Sequence, residues 1–253
     1  MMNKQEALFK YLVRLGDCAL IHGHRLSEWC SRGPLLEEDL ALTNMALDNI
    51  GRAQAFLKYA AEVQAIGLTE DDLAYKRDER AYYNNLITEL PIGDFAFTIA
   101  KQLLLSVFEN LQMQALCKSA DTTIVGIAAK SHKEVRYHFA HARDWTLRLG
   151  KGTLESNTRL QQAFNQLWMY TGELFEMYEE DAILNKQGIA IDLNELKHPY
   201  YNTITSILND ANIKIPVADY MQTGSRKGIH AEYLGHILSE MQYLQRAYPD
   251  AKW

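Results

Sequence analysis

Six positions, His22, Ile50, Ala53, Ser106, Val135 and His138, fall where a helical chain of this pattern would need metal ligands. A bundle that holds two iron ions presents one carboxylate from each of four helices, two of them followed three residues later by His. That spacing stacks both ligands on one helix face, and hard carboxylate oxygens suit iron that must activate O2. Here the four carboxylate positions read His22, Ile50, Ser106 and Val135, and the two Glu-x-x-His positions read Ile50-x-x-Ala53 and Val135-x-x-His138. Two imidazoles without a carboxylate cannot balance the charge of two ferric ions. The nearest carboxylates fail on geometry. Asp48 lies roughly 130° from the centre of its helix's apolar stripe, which makes it a solvated or interface carboxylate. Glu109 and Glu134 sit at the edges of theirs. The expectation is a degenerate dimetal site, with His22 and His138 as hydrogen-bonded core histidines and no metal bound by this chain.

Other donors read as structural. Glu195-Leu-Lys-His198 is the one literal Glu-x-x-His, but it precedes Pro199, which biases residue 198 away from helix. Glu232 and His236, with His230 nearby, read as a surface pair at i,i+4 spacing. Arg226 and Lys227 stand in the glycine-flanked turn TGSRKGIH (223–230) ahead of a helix; two cations there could hold a phosphate, although a plain solvated turn also accounts for them. There is no Gly-rich phosphate loop, no GxSxG and no HExxH. The charged and aromatic stretches 77–80 and 133–145 fit either helix surfaces or an interface with another chain.

These residues need helices to position them. Helices are expected at about 4–30, 34–66, 70–89, 93–118, 121–149, 154–184, 193–211 and 230–247, with Pro34 and Pro91 as helix-start prolines. No run of β-branched alternation marks a strand. Two hairpins, 4–30 with 34–66 and 93–118 with 121–149, turn near 31–34 and 119–121. Counted at 100° per residue, the inward stripes are Leu8, Leu12, Leu15, Ala19, His22, Leu26 and Trp29; Leu36, Leu40, Leu47, Ile50, Leu57 and Ala61; Ile99, Leu103, Ser106, Asn110, Met113 and Cys117; and Ile124, Ile127, Ala128, Ser131, Val135, His138, Ala142, Trp145 and Leu149. Antiparallel neighbours meet at equal distances from their turn, which sets His22 against Ile50 and Ser106 against Val135.

The fold expected is all-α: a ferritin-like four-helix bundle with additional C-terminal helices. It forms a single domain over 1–253, with the bundle core at about 4–149 and a helical extension at about 154–253. The 253 residues suffice for one well-buried core. A net charge of −6 provides no basic field for nucleic acid or an acidic membrane. No apolar run approaches the roughly 18 residues of a membrane span, and the amino-terminal stretch has no secretory h-region. Three widely spaced cysteines, Cys18, Cys30 and Cys117, suggest reduced thiols and a cytoplasmic protein.

Seven stretches together resemble the structural C subunits of ring-1,2-phenylacetyl-CoA epoxidases, which are bacterial multicomponent monooxygenases. They are YLVRLGD (11–17), EDLALTNMALDNIGRAQAFLKYAAE (38–62), RDERAYYN (77–84), LPIGDFAFTIAKQ (90–102), KEVRYHFAHARDWTLRLGKGT (133–153), LWMYTGELF (167–175) and the run from Thr223 to Trp253. The resemblance implies a non-catalytic structural subunit that binds and stabilises the di-iron A subunit, forming A–C heterodimers that pair further. It also implies B and reductase subunits. The cofactors implied lie outside this chain: di-iron in the partner subunit, with O2 and NADPH electrons delivered through the reductase. KSHKEVRYH (130–138) is similar to the catalytic partner's helix bearing its second Glu-x-x-His, with Val135 in the carboxylate position and His138 kept. Arg226 and Lys227 match a basic turn of the family, and contact with CoA phosphates is expected of them from charge and turn geometry. Two alternatives from other classes remain: an autonomous di-iron oxygenase or ferroxidase with atypical ligands, and a free-standing helical binding protein.

Overall fold

In the computed structural model, residues 2–249 and 251 are described. Asp250, Lys252 and Trp253, at the end of the last family-like stretch, lie outside the described residues. The elements are α1 (Lys4–Ser27), α2 (Leu36–Gln64), α3 (Glu70–Tyr75), α4 (Leu86–Glu89), α5 (Phe95–Leu116), α6 (Thr122–Gly150), α7 (Leu154–Leu167), α8 (Glu179–Asn185), α9 (Leu193–Asp210), α10 (Glu232–Met241) and α11 (Tyr243–Ala247), with short 3-10 turns between them. No strand occurs among the described residues.

Caps place most of the helix starts. Asn3 accepts the Glu6 N–H while Glu6 accepts the Asn3 N–H, both at 2.9 Å, so two donors that a helix start leaves open are satisfied together. Thr69 and Asp72 repeat the arrangement ahead of α3. Asp94, Asp121, Thr153 and Asp192 cap α5, α6, α7 and α9. α2, α4, α10 and α11 start without such a bond; the N-cap of α2 is Leu35.

The chain divides into two compact units, one made of residues 1–91 with 224–253 and the other of 92–223. In the first, α1 and α2 form an antiparallel hairpin to which α3, α4, α10 and α11 attach. In the second, α5 and α6 form the hairpin, and α7 and α9 pack on it. The expected boundary between a core and an extension near residue 150 is therefore not where the compact units divide. Each hairpin carries its own additions, and the segment from Gly224 onward belongs with the first.

Two expected helices break. The stretch 70–89 becomes α3, a 3-10 turn at Glu79–Ala81 and α4. The Tyr83 N–H donates to the Asp17 carboxylate at 2.9 Å, a bond that an N–H committed to a helix ladder could not make. The stretch 154–184 leaves α7 at Leu167. There Thr171 Oγ1 donates to the Trp168 carbonyl, and a Cβ on Gly172 would stand 2.8 Å from Met221 Cβ. Conversely, Pro199 lies inside α9, so His198 is helical. The N–H that proline lacks would have gone to the Glu195 carbonyl on the exposed side, where water can take its place.

Close backbone approach matters at Gly150 in the second unit, where an added Cβ would stand 2.1 Å from the Ala211 carbonyl oxygen. Gly150→Ala should therefore cost about 1–3 kcal/mol by overpacking, even though alanine is the better helix former. A lowered midpoint in urea denaturation of the full chain checks this.

Candidate functional site

The first hairpin holds His22, Ile50 and Ala53, and its geometry is set by two glycines. A Cβ on Gly16 would meet Leu57 at 2.7 Å and the Ala53 carbonyl at 3.5 Å; one on Gly23 would meet the Ala46 carbonyl and Ile50 at 3.1 Å and Asn49 Cβ at 3.2 Å. The antiparallel register therefore matches the expected one. The rotation of α2 does not. Its buried stripe is Glu38, Ala41, Leu42, Met45, Ala46, Asn49, Arg52, Ala53, Phe56, Leu57, Ala60 and Ala61, so Leu57 and Ala61 are buried as expected while Leu36, Leu40 and Leu47 are exposed. Ile50 is half-buried beside Gly23 and lines a cleft with Leu20 and Tyr75. It does not occupy the inward position assigned to it. That position belongs to Asn49, whose Oδ1 accepts a 2.6 Å hydrogen bond from Arg52 Nη2. The helix interior thus presents an amide and a guanidinium where the di-iron pattern needs Glu-x-x-His. His22 and Ala53 are buried as expected.

In the second hairpin the register is shown by Phe95 and Trp145, whose rings meet edge to face at 5.0 Å. The buried stripe of α6 is Ile124, Ala128, Ser131, Val135, His138, Ala142, Thr146 and Gly150; it follows the expected stripe as far as Ala142, whereas Ile127, Trp145 and Leu149 are half-buried and Thr146 and Gly150 take the inward positions at the end. Ser106 is buried with its hydroxyl donating to the Leu103 carbonyl at 3.4 Å. Glu109 is buried, not at the edge of its stripe, because α5 is covered on nearly all sides from Thr98 to Glu109. Lys101 is buried as well. Glu134 is half-buried and pairs with Lys130 at 3.8 Å. Among the described residues no three His, Cys, Asp or Glu side chains are grouped so that they could hold a metal ion. The residues at the candidate positions do not fit a carboxylate-bridged iron pair: they supply the Asn49 amide, the Ser106 hydroxyl, the His22 and His138 imidazoles and the Arg52 guanidinium, and the buried carboxylates of these helices, Asp17, Glu38 and Glu109, belong to no such group of three.

The remaining candidates separate. Glu195 and His198 are exposed, and His198 lies against Asn202. Glu232 and His236 are exposed. Lys227 is exposed, whereas the Nε and Nη1 atoms of Arg226 are shielded from solvent. The turn around them has a packing reason: Gly228 adopts φ 69° and an added Cβ would lie 2.4 Å from the Arg80 carbonyl.

His230 is the residue whose role the sequence did not reveal. Its Nδ1 lies 3.2 Å from Glu89 Oε2 and its Nε2 lies 2.9 Å from the Tyr82 carbonyl. Both neighbours accept, so the imidazole donates from both nitrogens and is cationic. Burial lowers its pKa, but hydrogen bonding and charge from Glu89 outweigh burial and hold it above the ordinary 6.5. Glu89 also accepts the Ala231 N–H at 2.8 Å, and its carbonyl accepts from Arg25 Nε at 2.9 Å. The network continues through Tyr82. Its ring lies 4.1 Å from the Arg77 guanidinium, and its hydroxyl accepts from Gln242 Nε2 at 2.8 Å. Arg77 donates to the Ala81 carbonyl and through both Nη atoms to Asp17, whose side chain has no solvent exposure. Burial pushes the Asp17 carboxyl upward against the pull of Arg77 and the Tyr83 N–H. No short motif marks these partners; Asp17 and Arg77, and Glu89 and His230, are far apart in the chain.

An all-helical, ferritin-like chain with this stripped interior belongs to the phenylacetic acid catabolic protein family, whose model matches residues 1–253. A relative from Escherichia coli K12, the C subunit of 1,2-phenylacetyl-CoA epoxidase, is 44% identical over 246 residues, covering 97% of this chain and 99% of the relative.

Removing one partner of a buried ion pair leaves the other charge uncompensated. Arg77→Met should therefore cost about 3–5 kcal/mol, measured by urea unfolding. For His230 the folded pKa lies above the unfolded 6.5, so its contribution is complete below about pH 6.5 and is lost as pH rises through the raised value. Urea midpoints between pH 6 and 9 should show this decline, and His230→Gln should remove it.

Proposed function

We propose that this chain is the non-catalytic structural subunit of a multicomponent phenylacetyl-CoA ring-epoxidising monooxygenase in phenylacetate degradation, where it binds and stabilises the di-iron catalytic subunit. The observation that carries this reading is the donor set of the hairpin interiors. Asn49 and Arg52 stand in place of one Glu-x-x-His, Val135 and His138 in place of the other. A fixed guanidinium inside the hairpin opposes a dication at short range and supplies positive charge that a metalloprotein would take from iron. Family membership and the E. coli relative support the pathway. That relative is one component of a larger epoxidase, which supports an assembled complex here as well. Within it this chain would pair with the catalytic subunit as a heterodimer, in the cytoplasm, while NADPH electrons and O2 are used in the partner.

Any contact with a CoA phosphate in the 223–230 turn would fall to Lys227, the exposed cation. Substrate affinity of the assembled complex unchanged by Lys227→Glu would remove that role.

Co-expression with the other epoxidase subunits, followed by metal analysis, tests the main reading. The expected result is far less than stoichiometric iron in the isolated chain and tight co-elution with the catalytic subunit. Near-stoichiometric iron and O2 consumption by the isolated chain would overturn it in favour of an autonomous oxygenase.

A further inference from the structure

The N-terminal half of α2 turns an apolar stripe away from its own hairpin. Leu36, Leu40 and Leu47 are 73%, 55% and 61% exposed, and Leu35 just before them is 56% exposed. At 100° per residue, Leu36, Leu40, Leu47 and Gly51 fall within an arc of about 60°, and the stripe runs for about 22 Å of helix. Scattered exposed leucines need no explanation, but an aligned stripe does.

Two further observations lie on this stripe, and both cost the isolated chain stability. Gly51 sits in the interior of a 29-residue helix, and a Cβ placed on it would meet nothing within 4 Å. A mid-helix glycine costs roughly 0.5–1 kcal/mol relative to alanine. Gly16 and Gly23 justify that cost by close contact with α2, whereas Gly51 has no such contact within the chain. At the other end, Leu35 occupies the N-cap without making a cap bond, as do the N-caps of the shorter α4, α10 and α11, whereas the other long helices α1, α5, α6, α7 and α9 begin on Asn, Asp or Thr side chains that make one. Local choices that disfavour the free chain and bracket an exposed apolar seam mark a surface completed by something else.

We propose that the Leu35–Leu36–Leu40–Leu47–Gly51 face of α2 docks a helix of a different subunit of the complex, with the partner backbone passing close over Gly51 and basic side chains flanking the seam. This rests on the structural-subunit reading and adds its contact surface. The charge pattern selects the occupant. Outside the buried stripe, residues 36–51 contain the acids Glu37, Asp39 and Asp48 and no Lys or Arg. A second copy docked antiparallel through the same face would set acid against acid, whereas a helix flanked by Lys or Arg is complementary.

The test measures binding of the full chain to the other epoxidase subunits, with the catalytic di-iron subunit first, by co-purification and titration. Two variants are compared with the unsubstituted chain: Leu40→Asp with Leu47→Asp, and Gly51→Leu. Leu40 and Leu47 are exposed and Gly51 faces open space, so circular dichroism of the isolated variants should stay near the original and the Gly51→Leu midpoint should not fall, since leucine is a better helix former than glycine. Gly51→Ala should raise the midpoint of the free chain. The expected result is at least a tenfold loss of affinity in each of the two variants. Unchanged affinity in both would overturn this surface and leave the structural-subunit reading intact. Failure of the unsubstituted chain to bind any of the other subunits would overturn that reading, and this surface with it. A self-association of this chain that the variants abolish would show a second copy on the face and overturn the choice of occupant.

Discussion

The rotation of α2 about its own axis governs what this protein can do, and two bare backbones on α1 set it. Gly16 and Gly23, seven residues apart, let α2 approach until the Ala46 and Ala53 carbonyls and the Leu57 side chain are in contact range. Small residues at Ala41, Ala46, Ala53 and Ala60 make the other half of that contact. Once those alanines face α1, Asn49 and Arg52 must turn inward and Leu36, Leu40 and Leu47 outward. The Asn49–Arg52 pair inside the hairpin and the apolar seam outside it thus have one steric origin.

The second organising feature is polar. Asp17, Arg77, Tyr82, Glu89, His230 and Gln242 link α1, the irregular stretch after α3 and the chain around α10 into one buried set of hydrogen bonds. Such a network is costly unless nearly every member is satisfied. The irregular backbone of residues 76–85 meets that requirement, because it leaves the Tyr83 N–H and the Tyr82 carbonyl free to bond side chains. A continuous helix there would have been more regular, but it would have left Asp17 with one partner fewer.

Much of the fold was legible from helical periodicity and capping residues. The two hairpins, their turns and the inward stripe of α6 follow from a narrow apolar face on an otherwise charged helix. Leu57 and Ala61 are buried as expected, but the first part of the α2 stripe was misassigned because leucines outweigh alanines in any count of apolar residues, while close packing against glycine favours the alanines. On α5 the periodicity is flat, since almost every side is covered, and Glu109 therefore looked peripheral. The breaks after Tyr75 and Leu167 were hidden because their causes are contacts with residues distant in sequence. The candidate site was legible in what it lacks at Val135 and Ser106, and illegible in what it gained, since nothing local in the sequence distinguishes a buried Arg52 or Lys101 from a surface cation.

The unit formed by residues 1–91 and 224–253 is interrupted by a complete second unit. During synthesis, the α1–α2 hairpin must therefore wait while more than half the chain emerges before His230 and Gln242 can reach Glu89 and Tyr82. At ribosomal speeds of about 5–20 residues per second, that interval is on the order of ten seconds or more. The intervening residues form a continuous stretch and can settle first. The nascent first hairpin already has Arg77 for Asp17, but the buried Glu89 carboxylate and Tyr82 hydroxyl lack His230 and Gln242 until the last segment is made.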